Sequence, residues 1–405
     1  MPTPHDAITV TRLTWTDHVL DEVETPHGRL RITLGLGSGL TRRASDPAGV
    51  VWAIGDRGPN IKVGPAVDDH GLTRLAALRG LDGAKIMPRP KIGPMLAQLR
   101  VEGDVVTCLQ VLPLRDTAGA TFSGLPIPGG DAAMEPTFDL SGVALGDHLA
   151  GADTEAVAAL ADGSFRVADE YGPSILKVGP DGMVLERWVP AGQEAALAGA
   201  AYAVTGVLPA LAARRRLNRG FEALALSPDE RKLHVIVQSP LAAQDEDGDE
   251  SDADAVGHAR LWTLDAETGA PIAEHLYPFD PPESFRRDLE AGPVGPEDLK
   301  ISEAVSIGDD QLLVLERISR TSKLYRVALT QRLLTKALVL STDDWPRIDA
   351  DLEGVTLLSD RDLLLCNDND FGIEGRETVF FRVTFPEPLG EMAAAADGRP
   401  SEGMA

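Results

Sequence analysis

The chain has 405 residues, 43% of them hydrophobic and 5% aromatic, with 40 glycines, 29 prolines and 63 acidic against 38 basic side chains, a formal charge of −25. That charge repels phosphate backbones and anionic lipid, so it excludes nucleic acid and membrane surfaces as partners wherever no cation or basic patch intervenes. Two cysteines, Cys108 in VVTCLQV and Cys366 in LLLCND, exclude a disulfide framework and read as small buried hydrophobes, and no stretch approaches the ~20 apolar residues of a membrane span.

The N-terminus, MPTPHDAITVTRLTW, lacks the basic and then apolar regions of a secretory leader. As it stands the chain reads as soluble and cytoplasmic, or as periplasmic or secreted where a leader has been removed. A repeating unit follows. It opens on an acidic or small residue, then Ala or Gly and an aliphatic residue, crosses a tight turn, and continues into an apolar strand with a polar end.

A weaker first copy runs from Gly37-Ser38-Gly39-Leu40 to VVWAIGDRG. Four more run from Thr154-Glu155-Ala156-Val157 to RVADE, Phe221-Glu222-Ala223-Leu224 to HVIVQ, Ser302-Glu303-Ala304-Val305 to LLVLER, and Leu352-Glu353-Gly354-Val355 to LLLCNDND. Each pair is followed by an alternating third strand (ILKV, ARLWTLD, KLYRVAL, VFFRVTF) and in places a fourth (MVLERWVP, IAEHLYPFD). Strand, turn and three more strands make a propeller blade, which cannot bury its faces alone and must close into a ring.

The expected fold is an all-β propeller of five or six blades, since residues 59–150 can either finish the first blade or form another. The last unit lacks a fourth strand. An N-terminal strand, ITVTRLTW or RLRITLG, is expected to supply it, so residues 1–28 serve ring closure, 29–387 form the propeller and 388–405 a disordered tail. Residues 193–217, rich in Ala and Leu with a basic end, predict a short helical insertion. The acidic run QDEDGDESDADAVG at 244–257 departs from an EF-hand loop in its glycine position and its missing final Glu, and reads as a solvated hairpin loop.

First strands line a propeller's channel, so their opening residues converge at one end. Glu155, Glu222, Glu303 and Glu353, with Ser38, are expected to form a ring there. Asp56-Arg57, Asp169-Glu170, Gln238-Ser239, Glu316-Arg317 and Asn367-Asp368-Asn369-Asp370, at the ends of second strands, extend it. Crowded carboxylates need raised pKa values or a cation, and calcium, which takes six to eight oxygen ligands, suits them better than zinc. Arg57, Arg219 and Arg317 keep such a mouth open to anions. The competing reading is structural, with these glutamates capping backbone amides or bridging blades. Gly35-Leu36-Gly37-Ser38-Gly39 misses the nucleophile elbow by register, and His148, His234, His258 and His275 lack ligand spacing.

The strings DTEAVAALADGSFRVADEYGPSILKVGPDG, NRGFEALALSPDERKLHVIVQSPL, LLVLERISRTSKLYRVAL and LEGVTLLSDRDLLLCNDNDFG resemble the bacterial phytase-like propeller family with esterase-like activity, over roughly residues 34–385. The family pattern has Gly-Leu-Ser-Gly-Leu where this chain carries an extra glycine at 35–40, and Glu-Gly where Glu155-Ala156 and Glu222-Ala223 stand. The resemblance implies a metal-assisted hydrolase of phosphate esters or related small esters. Calcium would be held by Glu155, Glu170, Glu222, Glu353 and Asp368, with Glu222 and Glu353 catalytic and Arg57 or Arg317 orienting the anion. A calcium-dependent lactonase or carboxylesterase, and a non-catalytic propeller binding a small ligand or a protein, are the alternatives. A monomer acting on a small anionic ester is expected.

Overall fold

The computed structural model describes residues 8–128, 134–242, 255–348 and 351–391. The first sheet is built from Gly39–Thr41, Val50–Ile54, Met95–Glu102 and Val105–Pro113, and the second from Thr154–Ala159, Phe165–Asp169, Ser174–Val178 and Val184–Pro190. Phe221–Leu226, Lys232–Val237, His258–Asp265 and Pro271–Pro278 form the third, and Lys300–Gly308, Gln311–Arg317, Ser322–Ala328 and Lys336–Ser341 the fourth. The fifth takes Leu352–Leu357, Asp362–Asn367 and Phe380–Thr384 from one end of the chain and Thr9–Leu13 from the other.

All pairs within these four-strand units are antiparallel. The first strands pack side by side from first sheet to fifth, and the fifth packs back on the first. This is the all-β arrangement of a propeller, with each sheet a blade around a central axis.

Alternation along the strands explains the packing, because successive side chains leave opposite faces of a sheet. In Val50–Ile54, Val51 and Ala53 join the cluster shared with the fifth sheet, while Trp52 and Ile54 join the one shared with the second. Similar apolar layers separate second from third, third from fourth, and fourth from fifth. Both faces of each blade are therefore buried, as the near-continuous apolar runs require.

Thr9–Leu13 pairs with Phe380–Thr384, Thr9 opposite Thr384 and Leu13 opposite Phe380, so an N-terminal strand supplies the fourth strand of the fifth sheet. RLRITLG serves elsewhere, in a separate hairpin of Val19–Thr25 with Gly28–Thr33. Residues 59–150 form no further blade among the described residues. Met95–Pro113 completes the first sheet, and the pairs Ile61–Lys62, Lys85–Ile86 and Thr137–Phe138 make a small three-stranded sheet.

The helix expected at 193–217 is replaced by a turn at Glu194–Leu197, a strand at Ala203–Leu208 and a turn at Ala210–Arg214. That strand adds in parallel to Val184–Pro190. Gly199, Gly206 and Pro209 break the helical run, and Val204, Thr205 and Val207 favour the extended backbone. Residues 244–254 of the acidic run at 244–257, and residues 392–405 of the tail expected at 388–405, lie outside the described residues.

Candidate functional site

One end of the axis opens into a concavity of about 490 Å³. Its wall brings together Glu155, Glu170, Glu222, Glu353, Asp368, Arg57 and Arg317, the seven site residues expected from the sequence, with Asp56, Asp351 and Asp370 and with Lys62, Lys85, Arg219, Lys300 and Arg376.

The backbone supplies the convergence. Where the inner strands of the second, third and fifth sheets begin, the pairing register shifts by one residue: Thr154 faces Asp169 but Ala156 faces Ala168, and Phe221 faces Val237 but Ala223 faces Ile236. Leu352 and Gly354 do the same against Asn367 and Cys366. Glu155, Glu222 and Glu353 are the bulged residues, and a bulge re-aims its side chain.

In the fourth blade the shift lies between Ile301, facing Glu316, and Glu303, facing Leu315. The bulge is therefore Ser302, one residue earlier than the repeat placed it, and a one-residue slip reverses every side chain's face. Glu303 takes the place of Ala156, Ala223 and Gly354. It is fully buried, away from the mouth, with its carboxylate accepting from the N–H groups of Leu40 (3.1 Å) and Ala304 (2.9 Å). The expected membership of Glu303 in the carboxylate ring is corrected on this ground. Small residues hold the other equivalent places because the strands crowd there: a Cβ on Gly39 would lie 2.8 Å from the Ala156 Cα.

Three groups of carboxylates have ligand atoms within 4.8 Å of one another: Glu155 with Glu222 and Glu353, Asp56 with Asp153 and Glu155, and Asp56 with Asp368 and Asp370. They share Glu155 and Asp56 and so form one continuous arc. Burial, then the neighbouring carboxylates, pushes Glu155 and Asp368 well up. Glu170 is raised to about 8 by burial and by Glu222. Burial and then Glu353 raise Glu222 to about 7, and burial raises Glu353 to about 7 against the pull of Arg317. Asp56 behaves differently: burial opposes its charge, but Arg57 and a hydrogen bond with Asp153 hold it below the usual range. Asp153 is pushed well up by burial.

The cations divide by what they touch. Arg57 is enclosed by protein: Nε donates to Asp56 (3.2 Å) and Asp153 (3.0 Å), Nη1 meets Glu135 and the Tyr171 hydroxyl (2.6 Å), and Nη2 reaches Asn218 (2.5 Å) and Asp153. Arg317 donates to Ser302 Oγ (2.5 Å), to Asp351 (2.6 Å) and to Glu353. Lys300 and Arg219 are less committed. Lys300 has its pKa lowered, first by Arg317 and then by burial. Arg219 donates one bond to the Glu297 carbonyl at 3.1 Å, and its buried Nη1 has no hydrogen-bond partner. Glu170 Oε1 and Glu222 Oε2 are likewise buried without a partner.

Backbone strain concentrates here. Asn218, Asp370 and Phe371 have φ of +52°, +47° and +56°, a region costly for residues other than glycine. Gly37, the inserted glycine, has φ of +105° and leaves 1.9 Å between an imagined Cβ and the Asn367 carbonyl. Ser38 Oγ then donates to Asp368 at 3.0 Å, tying the first blade to the fifth.

Sequence reasoning missed Asp153, Glu135 and Lys300. Asp153 and Lys300 each stand two residues before a bulge, a position whose repeated polarity carries the signal. Glu135 comes from a connection between elements and had none.

Blade architecture and a mouth of carboxylates interleaved with guanidinium groups define a β-propeller with its candidate site on the axis. The chain belongs to the phytase-like family described as esterase-like activity of phytase, matched over residues 32–371. An uncharacterized secreted protein of Arthroderma benhamiae is 26% identical over 220 residues, 48% of this chain and 40% of that protein, so the match spans less than half of the relative. Among solved structures, a luciferin-regenerating enzyme superposes with a TM-score of 0.36 at 10% identity, over 96% of this chain and 98% of that one. A gluconolactonase of Xanthomonas campestris gives 0.33 at 11%, over 94% and 98%. Among the described residues no helix is long and apolar enough to cross a membrane.

Proposed function

We propose that this chain is a closed five-bladed propeller and a metal-dependent hydrolase of phosphate esters or related small esters, acting at the carboxylate mouth. The observation that carries this reading is the convergence of Glu155, Glu222 and Glu353 within 4.8 Å, with Glu222 Oε2 and the nearby Glu170 Oε1 buried and unpartnered. Buried carboxylate oxygens without donors are costly unless a cation meets them. The donor set is all oxygen, which fits a hard ion such as calcium.

Glu155, Glu170, Glu222, Glu353 and Asp368 would hold the ion, with Asp56 and Asp370 beside them. Such an ion, when bound, supplies Lewis acidity toward the ester and acidifies water. Glu222, whose Oε2 meets no donor of the protein, would be shared between the ion and the water that the ion acidifies. Glu353 is fixed by Arg317, and Arg57 fixes Asp153 and Glu135. In this reading both arginines act by holding carboxylates, while the anion meets Lys300 and the free Nη1 of Arg219. The protein works as a monomer, with no nucleic-acid or membrane partner.

The test is hydrolysis of phosphomonoester and carboxyester substrates, with and without chelation, in the wild type and in the Glu222→Gln, Glu353→Gln double variant. Turnover unchanged by chelation and by both substitutions overturns the proposal. Turnover of carboxyesters alone favours a lactonase or carboxylesterase, and calcium-dependent stabilisation without any turnover favours a binding propeller.

A further inference from the structure

The inner strands run out at the face opposite the carboxylate mouth. Thr41, Ala159, Leu226, Ser306 and Leu357, at or near their far ends, surround a funnel of about 200 Å³, and a cavity of about 410 Å³ adjoins it and reaches Leu389. Its walls are largely aliphatic, from Ala159, Leu226, Val305 and Leu357.

The polar groups there are mostly spoken for. Thr41 Oγ1 accepts from the Ala159 N–H (3.4 Å), Ser306 Oγ donates to the Gly308 carbonyl (3.2 Å), and Ser227 Oγ donates to Asp229 (2.6 Å). Both Glu230 oxygens accept from the Ala161 N–H, at 2.9 and 3.1 Å.

Arg42 is the exception, and it lines both compartments. Its Nε is buried with no hydrogen-bond partner, and Nη1 makes one long bond, 3.4 Å to the Leu358 carbonyl. Among the described residues no carboxylate lies within 4.0 Å of this guanidinium, whereas the neighbouring Arg43 pairs with Asp46. A buried guanidinium N–H without an acceptor is costly.

We propose that this funnel is a second binding site, for a small organic monocarboxylate with an apolar body, its carboxylate on Arg42 and its body against Leu226, Val305 and Leu357. A single guanidinium meets one carboxylate. Aliphatic walls with one fixed polar group select an amphiphile over inorganic anions, which would leave those walls wet. Glu303, hydrogen-bonded across the axis, stands between this end and the carboxylate mouth, so the two sites fill independently.

The test is calorimetric titration of the calcium-free protein with sodium octanoate, with 1-octanol and acetate as probes lacking the charge or the body. One octanoate per chain is expected, at least about tenfold tighter than either control. Arg42→Met, which keeps the aliphatic stem, should lose that preference over octanol. Ser306→Phe, which fills the funnel, should abolish binding, and Glu222→Gln at the other end should leave it unchanged. Octanoate binding that survives both Arg42→Met and Ser306→Phe, equal binding of octanol, or no binding at millimolar octanoate overturns the proposal. Should Arg42→Met fail to fold, Ser306→Phe and the octanol comparison decide.

Discussion

The carboxylate of Glu303 accepts a hydrogen bond from the Leu40 N–H at 3.1 Å, joining the fourth inner strand to the first, which are not neighbours in the ring. The same side chain accepts from Ala304, so one residue serves amides of two inner strands. Glu303→Ala should cost about 2–3 kcal/mol in urea unfolding, because buried donors lose their acceptor. Glu303→Gln retains an oxygen at the same reach and should cost about 1 kcal/mol or less. Neither should alter the calcium response, which separates Glu303 from the carboxylates of the mouth.

Stability of the metal-free protein should fall as pH rises. Glu222 and Glu353 are raised to about 7 and Glu170 to about 8, so between their ordinary range near 4.5 and these values the folded chain binds more protons than the unfolded one. Their contribution is fully present at pH 4.5 and below, and is lost as pH climbs through 7 and 8. The loss is on the order of a few kcal/mol, read as a falling Tm of chelated protein from pH 5 to 8. Saturating calcium should flatten that slope, since a bound cation replaces the protons.

Lys300→Met should raise KM for an anionic ester about tenfold while kcat changes little, because it removes a charge met by substrate before and during reaction. Glu222→Gln should instead lower kcat by about a hundredfold. Steady-state kinetics on one phosphomonoester distinguishes the two.

A separate buried charge cluster lies between the third and fourth blades. Lys336 Nζ lies 3.0 Å from Asp280 and contacts Glu316, between the rings of Tyr325 (4.1 Å) and Tyr277 (4.9 Å). Lys336→Met should destabilise by about 3–5 kcal/mol by stranding Glu316 in the interior. The calcium-dependent shift in Tm should remain.

Removing residues 1–13 should leave Phe380–Thr384 as an open edge, with a large loss in Tm and a tendency to aggregate. A synthetic peptide of residues 8–15 supplied in trans should restore part of the lost Tm.

The repeat was legible because a bulged Glu followed by Ala or Gly combines a charge aimed at the axis with a small residue forced by crowding. Ser302-Glu303 broke the reading for the same reason. Its letters match the motif, but the register is set by Gln311–Arg317, and only that pairing reveals which residue bulges. Residues 193–217 read as helix because Ala and Leu dominate, while the open edge of Val184–Pro190 that recruits Ala203–Leu208 cannot be seen in their composition. Glu135 had no local signal, since its place beside Arg57 depends on how a long connection folds over the first blade.

The pairing of Thr9–Leu13 with Phe380–Thr384 makes a strand synthesised before the first blade wait for the fifth. While the ribosome is still adding the fifth blade, the N-terminal strand has no partner and the first blade's outer face lacks its neighbour. Closure is therefore a step of very long sequence separation, which slows folding and leaves strand edges exposed meanwhile. Once made, it places Thr9–Leu13 and Phe380–Thr384 in a single blade, so that a pull on either strand loads the same short ladder of hydrogen bonds.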